Sequence, residues 1–323
     1  MKLSDAMARW PVMEVSAKLV YAHTPMGRLG GRLRYARALN QGVPPEGDAK
    51  LTEEAARAAL VKFLHSNMVG AGDVILLHSG NTVSNALGFS AVQLIDFFMD
   101  FVGSGGTLVM PTIPVMKGEP RGSDRYQDGG YNRILDFDTS RSAPWTGIVP
   151  RQLIQTPGVL RGRNPFNNVS ALGASAERLF VNELNGPLQT PCGPGSAWEV
   201  LEQLNPFILA INCRFAHSVT MIHRVEEADP NNWVVPADRW YRSRRVRIND
   251  RGRIDVVELR ERRAKWSAYF CERSLEHRLF DEGVVDSFAG GGLQLTGCRA
   301  QRLLDWARKQ AADFPYWIPR VMR

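Results

Sequence analysis

The chain has no apolar run approaching the roughly 18 residues that a membrane-spanning helix needs. Its first thirteen residues carry charges rather than the apolar stretch of a signal peptide. Cysteine is scarce: Cys192, Cys213, Cys271 and Cys298 are the only four in 323 residues, and no two form a Cys-x-x-Cys pair. That spacing argues against a zinc site, a disulfide framework or a redox motif, and for a reduced, cytoplasmic protein without a metal. Three catalytic signatures are missing as well. There is no Gly-x-Ser-x-Gly elbow, no Gly-x-x-x-x-Gly-Lys-Ser/Thr phosphate loop, and no Gly-x-Gly-x-x-Gly after a strand. Without a helix-turn-helix, RNA-recognition or zinc-finger pattern, nucleic acid is not an expected partner. No internal repeat or low-complexity tract occurs.

What is present is ordinary globular composition, 44% apolar and 23% charged, in a chain long enough for a large core. The net charge of +7 is localised. Residues 239–265 hold eleven lysines and arginines against four aspartates and glutamates, an excess that equals the whole net charge. Such a segment suits an anionic ligand or surface, and it equally suits a solvated arginine-rich hairpin. The alternation of 246–258 around Asn249-Asp-Arg-Gly252 favours a hairpin.

Periodicity orders the rest. Residues 1–48 read as an N-terminal extension ending in the turn Gly42-Val-Pro-Pro-Glu-Gly47, and 49–323 as one domain with the hairpin as an insertion. Leu51, Ala55, Ala59 and Phe63 recur at helical spacing within 48–68. Residues 74–77, 107–110 and 207–211 are short continuous apolar runs, as in strands covered on both faces. Ser90 and Ser196 precede helices over 91–101 and 197–204, and further helices are expected over 145–155, 174–184, 218–227 and 300–312. Residues 115–136 read as a long loop. Strand, polar loop, helix and strand succeed one another over 74–110, which predicts a right-handed parallel crossover. Ligands in such sheets sit at the carboxyl ends of strands, where Ser79, Gly80, Asn81 and Thr112 fall.

Three places could carry chemistry. Thr220, His223 and Glu226, at i, i+3 and i+6, share one helix face, and an imidazole beside a carboxylate is either an acid–base pair or a surface pair. His217 lies off that face and adds little. Cys192, between Pro191 and Gly193, is a thiol that the backbone could expose. The loop Gly158-Val-Leu-Arg-Gly-Arg-Asn-Pro-Phe-Asn-Asn-Val-Ser-Ala-Leu-Gly173 has many free N–H groups and few core side chains, and leads into a small-residue helix start.

In order along the chain, these pieces resemble the aminoglycoside N3-acetyltransferase (antibiotic acetyltransferase) family. Gly72-Asp-Val-Ile-Leu-Leu-His-Ser79 is similar to its Gly-Asp-x-Leu-x-x-His-Ser-Ser, and Gly106-Thr-Leu-Val-Met-Pro-Thr112 is nearly verbatim. Phe137-Asp138, Thr146-Gly147 and Pro157-Gly158 follow. Arg161-Gly-Arg-Asn-Pro-Phe-Asn-Asn-Val-Ser-Ala-Leu-Gly173 is similar to Arg-Ser-x-His-Pro-x-x-Ser-x-x-Ala-x-Gly, with its serine displaced. Gly193-Pro-Gly-Ser196 and Thr220-x-x-His223-x-x-Glu226 complete a match over about 50–230, weaker over 280–315.

The resemblance implies a three-layer α/β/α fold with a central mixed, partly parallel sheet. It also implies transfer of an acyl group from acetyl-CoA, or another acyl-CoA, to an amine. Ser79, Gly80, Asn81, Thr112 and Ser170 would then line the CoA site. The departures are informative. Asn164 stands where the family has its histidine base, and an amide cannot take a proton at neutral pH. Gly80 replaces the second serine, and an acidic position after Thr-Gly is lost around Pro150-Arg151. The expectation is therefore an N-acyltransferase in which Asn164 orients the acceptor or donates to the developing oxyanion, and His223, held by Glu226, replaces the base. Its acceptor would be a small-molecule amine, an amino sugar or biosynthetic intermediate rather than a polycationic aminoglycoside; the arginines suggest an anionic amine or, alternatively, contacts to the phosphates of CoA. A CoA-binding member without catalysis, acyl transfer through Cys192, and a homodimer all stay open.

Overall fold

The computed structural model describes residues 9–23, 51–120, 122–229 and 235–310. The turn expected at Gly42 to Gly47, and the ends of the helices expected over 48–68 and 300–312, lie wholly or partly outside the described residues.

The strands are β1 (Val74–Ser79), β2 (Thr107–Pro111), β3 (Leu135–Asp138), β4 (Leu160–Arg161), β5 (Val169–Gly173), β6 (Phe207–Ile211), β7 (Tyr241–Asp250), β8 (Arg253–Arg262), β9 (Asp286–Gly290) and β10 (Leu293–Arg299). Seven form one sheet in the order β4-β5-β2-β1-β6-β10-β9. Its centre is the three apolar runs, with β1 parallel to both β2 and β6. The flanks β5 and β10 join β2 and β6 antiparallel. The apolar runs are continuous because both faces are covered. Val74, Leu76, Val109 and Ile208 enter one core, with Trp198 and Leu304. Ile75, Leu77, Leu108 and Leu209 enter the other, with Leu60 and Phe98. Helices Glu53–Ser66 and Ala91–Val102 cover one face, and Ala197–Leu204 and Ala300–Gln310 the other. The three-layer α/β/α fold with a mixed sheet is thus present.

Local chemistry explains the helix starts. The Thr52 hydroxyl accepts from Ala55 N–H, Ser196 accepts from Glu199 N–H, and Ser90 with Gln93 forms a reciprocal capping box. Each cap is worth about 1 kcal/mol.

Three expectations need correction. The stretch after Asn164 leads into β5, not into a helix start; Val169, Ser170 and Ala171 are buried against β2, and the helix begins at Ala176. The helix expected over 145–155 is only Ile148–Leu153, because Pro144 bridges Pro114 and holds Trp145 out of it. The helix expected over 218–227 is broken into Phe215–Ser218, a 3-10 turn Thr220–Ile222, and His223–Glu227, since Val219 has a non-helical ψ of 78°.

The second sheet is β3-β7-β8. Its hairpin turns at Arg251 (φ 52°) and Gly252 (φ 95°), the positive-φ pair of a two-residue turn whose twist suits the flanking strands. Leu135, Phe137, Val246, Ile248 and Leu259 form its small core, against which Phe166 of the loop packs. Its arginines are largely committed to the protein's own carboxylates. Arg244, 1% exposed, bonds Glu119 and Glu261, and Arg242 bonds Glu261. Arg262 bonds Glu226, Arg247 bonds Asp136, and Arg263 and Lys265 share Asp128. Much of the local excess is therefore neutralised internally.

Candidate active site

The carboxyl ends of β1 and β2 open on a cavity of about 130 Å³. Leu77, Pro111, Ile113 and Pro150 give it apolar walls, and His78, Ser79, Thr146, His217 and Thr220 add polar groups. It adjoins a cleft of about 640 Å³ through the shared residues Ile113 and Trp145. Tyr131, Pro165, Phe166, Asn167, Glu119 and Arg262 are among the cleft's walls. Trp145, 63% exposed, stands at the junction.

His78 lies on β1 beside Ala210 of β6 and is buried, with no partner on Nε2 among the described residues. Burial pushes its pKa down to about 4, so the ring is neutral at pH 7. Ser79 lines the cavity, while Asn81 is exposed on the loop that follows. Gly80 touches backbone: its N–H donates to the Ile211 carbonyl, and an added Cβ would lie 1.9 Å from the Asn212 oxygen. No side chain fits there without the strands parting, which accounts for glycine where the resembling motif has serine.

Thr112 and Ser170 sit beneath the loop, fully buried, with their hydroxyls 2.8 Å apart. Both belong to a network centred on Asn168. The Asn168 Oδ1 accepts from Thr112 Oγ1 (2.9 Å) and Arg161 Nε (2.8 Å). Its Nδ2 donates to the carbonyls of Gly162 and Asn164. Arg161 also donates to the carbonyls of Thr112, Thr139 and Ser142 and lies over the Phe137 ring, tying the two sheets together. Neither Thr112 nor Ser170 is among the residues lining the cavity or the cleft.

Asn164 is 4% exposed. Its Oδ1 accepts the Phe166 N–H at 2.9 Å, the side-chain turn by which asparagine shapes its own loop. That turn sets Pro165, Phe166 and Asn167 along the cleft. From below, Glu183 accepts the backbone N–H groups of Arg163 and Asn164, yet burial still pushes its pKa up to about 7.

His223 and Glu226 meet as their spacing predicted, with Nδ1 2.9 Å from Oε2. The sequence did not announce the third member. Arg262, thirty-nine residues on, donates to the same Glu226 oxygen at 2.7 Å and lies 2.8 Å from Nδ1 and 3.0 Å from Nε2 of His223. Burial and Arg262 together lower the His223 pKa against the opposing pull of Glu226. Of the three, Arg262 is the one that lines the cleft. Thr220 lines the smaller cavity instead.

Glu227, next in sequence, is fully buried, and its Oε2 accepts the Cys192 N–H at 2.6 Å. Its pKa is pushed up to about 7, chiefly by burial. Cys192 is itself fully buried, and burial with Glu227 raises its thiol pKa well above the ordinary range. This surrounding disfavours a thiolate. His217 sits at the cavity's rim with Nδ1 3.3 Å from Glu272 Oε2, a pairing across fifty-five residues that no local pattern signals. Among the described residues, no helix is long and apolar enough to cross a membrane, and no cluster of three or more His, Cys, Asp or Glu could hold a metal ion.

Comparison with known proteins agrees on one family. A family model described as "Aminoglycoside 3-N-acetyltransferase" matches residues 76–312. Aminoglycoside N(3)-acetyltransferase VIII of Streptomyces fradiae is 28% identical over 182 residues, 53% of this chain and 60% of that protein. Aminoglycoside N(3)-acetyltransferase IV of Salmonella sp is 30% identical over 138 residues, 43% of this chain and 47% of that protein. The chain thus spans less than two thirds of the length of these curated relatives. Among solved structures, AAC-IIIb in a binary complex with CoASH superposes with a TM-score of 0.63 at 20% identity, covering 81% of this chain and 96% of that one. A mutant of AAC(3)-IVa in complex with apramycin gives 0.58 at 21% identity, covering 82% and 95%. These superpositions show the same fold.

Proposed function

The chain belongs to the aminoglycoside 3-N-acetyltransferase family, and on that premise we propose that it is an acyl-CoA-dependent N-acyltransferase acting on a small-molecule amine. The observation that carries this reading is the narrow cavity at the carboxyl ends of β1 and β2, opening past Trp145 into a wider cleft under the Asn164 loop. A slim arm of mixed polarity, such as the pantetheine and acyl thioester of CoA, suits walls of Leu77, Pro111 and Ile113 with hydroxyls from Ser79, Thr146 and Thr220. The fold neighbour AAC-IIIb, solved with CoASH, supports the same co-substrate.

The body of the acceptor would occupy the wider cleft, with its amine reaching past Trp145 to the thioester in the narrow cavity. The cleft's carboxylates Glu119 and Glu261 are already paired with Arg242 and Arg244, Arg262 is paired with Glu226, and Arg125 adds positive charge. Such walls offer little to a polycation, which needs uncommitted carboxylates. An amino sugar or biosynthetic intermediate with one reactive amine fits better. The hairpin arginines, being mostly paired, give weaker support to an anionic acceptor than their number suggests.

In this reading Asn164 positions the loop and does not contact the proton in flight. His223 and Glu226 hold Arg262 at the cleft wall, where its guanidinium can stabilise the oxyanion that develops on the thioester carbonyl. Ser79, Gly80 and Asn81 border the CoA arm, and Thr112 and Ser170 brace the loop. The buried, raised thiol of Cys192 speaks against a covalent acyl-enzyme.

The test is release of CoA thiol from acetyl-CoA across a panel of amines, with equilibrium binding of CoA measured in parallel. Turnover with at least one monoamine is expected. Tight CoA binding without turnover would favour a CoA-binding protein instead, an outcome motivated by Asn164 and His223 both being tied up internally. No CoA binding would overturn the proposal.

A further inference from the structure

The acceptor amine must lose a proton, and neither residue at the expected base position can take it. Asn164 is an amide folded into its own turn, and both nitrogens of His223 lie within 3.0 Å of Arg262. Two other histidines line the cavity at the strand ends, His78 and His217. They are differently placed. His78 is buried among β1 and its neighbours, and a ring whose pKa is near 4 is too weak a base to work well at neutral pH. His217 stands at the rim, its side chain 67% exposed, with Nδ1 facing the Glu272 carboxylate at 3.3 Å. No described residue bonds its Nε2, which leaves that lone pair for a bound molecule.

We propose that His217, oriented by Glu272, is the base that deprotonates the acceptor amine; this rests on the acyltransferase reading above. A carboxylate on Nδ1–H fixes the tautomer with the lone pair on Nε2 and stabilises the imidazolium that forms. The charges around the ring agree with that role. Glu272 raises the His217 pKa, while Arg214 beside it and Lys18 of helix Pro11–His23 lower it, the net effect being upward. Lys18 also lies 3.5 Å from Glu272, and Arg214 is held by Glu276. The other titratable group lining the cavity is the neutral His78.

The step balances without another reactant. The amine nitrogen attacks the thioester carbonyl carbon while His217 Nε2 takes its proton. The tetrahedral intermediate then collapses, the C–S bond breaks, and the imidazolium returns the proton to the CoA sulfur. The products are the amide and the CoA thiol, and nothing is oxidised or reduced.

Three variants of the full chain test this. His217→Gln, an exposed substitution that leaves folding intact, lowers kcat/KM by roughly 10²–10⁴-fold with CoA affinity unchanged. Glu272→Gln moves the acidic limb of the pH–rate profile to lower pH, because the ring loses what raises its pKa. Lys18→Met moves the limb to higher pH, a shift in the opposite direction that mere structural damage would not give. A His217→Gln enzyme with the wild-type rate and pH profile overturns the assignment. Absence of CoA release by the wild-type chain with every amine is a separate result; it removes the acyltransferase reading, and this assignment with it.

Discussion

Replacing Glu227 by Gln probes how the interior treats a carboxyl that has no cation of its own. Glu227 and Glu226 are neighbours, both buried, and Arg262 is committed to Glu226. The Cys192 N–H bonds one Glu227 oxygen. Burial therefore wins, and the pKa rises from 4.5 to about 7. A shift of that size, at 1.36 kcal/mol per unit, is about 3 kcal/mol. The direction follows from the proton. A carboxyl whose folded pKa lies above its unfolded one carries no penalty below about pH 4.5, and the full penalty above the folded value near pH 7. Glutamine is neutral throughout. Whatever constant offset the substitution introduces, the unfolding free energy of the variant minus that of the wild type should rise by about 3 kcal/mol between pH 5 and pH 8.5. Urea unfolding at fixed ionic strength across that range measures it. A difference that stays flat with pH would refute the argument.

Further outcomes follow from other contacts. Gly80→Ala should lower stability by roughly 1–3 kcal/mol or more, because the new Cβ meets backbone that cannot swing aside, and an unchanged Tm would refute that. Asn168→Ala strips partners from Thr112, Arg161 and two carbonyls at once; about 3 kcal/mol or more is expected by chemical unfolding. Wild-type stability should fall as pH drops from 6.5 through 4, since the unfolded chain protonates a histidine that the buried His78 leaves neutral, and His78→Gln should flatten that limb in acid unfolding curves. Trp145, exposed where cavity and cleft join, should change its fluorescence when CoA is added, compared against a Trp145→Phe control.

The parts of the fold written in local order were readable from sequence. Continuous apolar runs marked β1, β2 and β6, hydroxyl caps marked the helices after Ser90 and Ser196, and Arg251-Gly252 marked the hairpin turn. Strand β5 escaped because Ser170, and Asn168 just before it, look like loop residues until β2, Thr112 and Arg161 supply their partners. The site was legible only in fragments. His223 and Glu226 are three residues apart and were paired correctly, but Arg262 arrives from the far end of a hairpin and changes what the pair can do. His217 looked inert because its partner Glu272 belongs to a helix brought in by the tertiary fold. Charge counting misled in a similar way: several residues that read as a basic patch are spent on carboxylates more than a hundred residues upstream, as Arg244 is on Glu119 and Arg247 on Asp136.

Helix Pro11–His23 gives one of these contacts a practical weight. Lys18 reaches past its own helix to the Glu272 carboxylate, and Glu14 receives the Arg273 N–H, so the first helix is wired to the residue that holds His217. Cutting the chain after this helix would leave Glu272 with His217 alone and change that histidine's affinity for protons. If His217 acts as proposed, a shortened form would then report a different pH optimum from the intact chain, and the discrepancy would belong to the missing lysine rather than to the cavity.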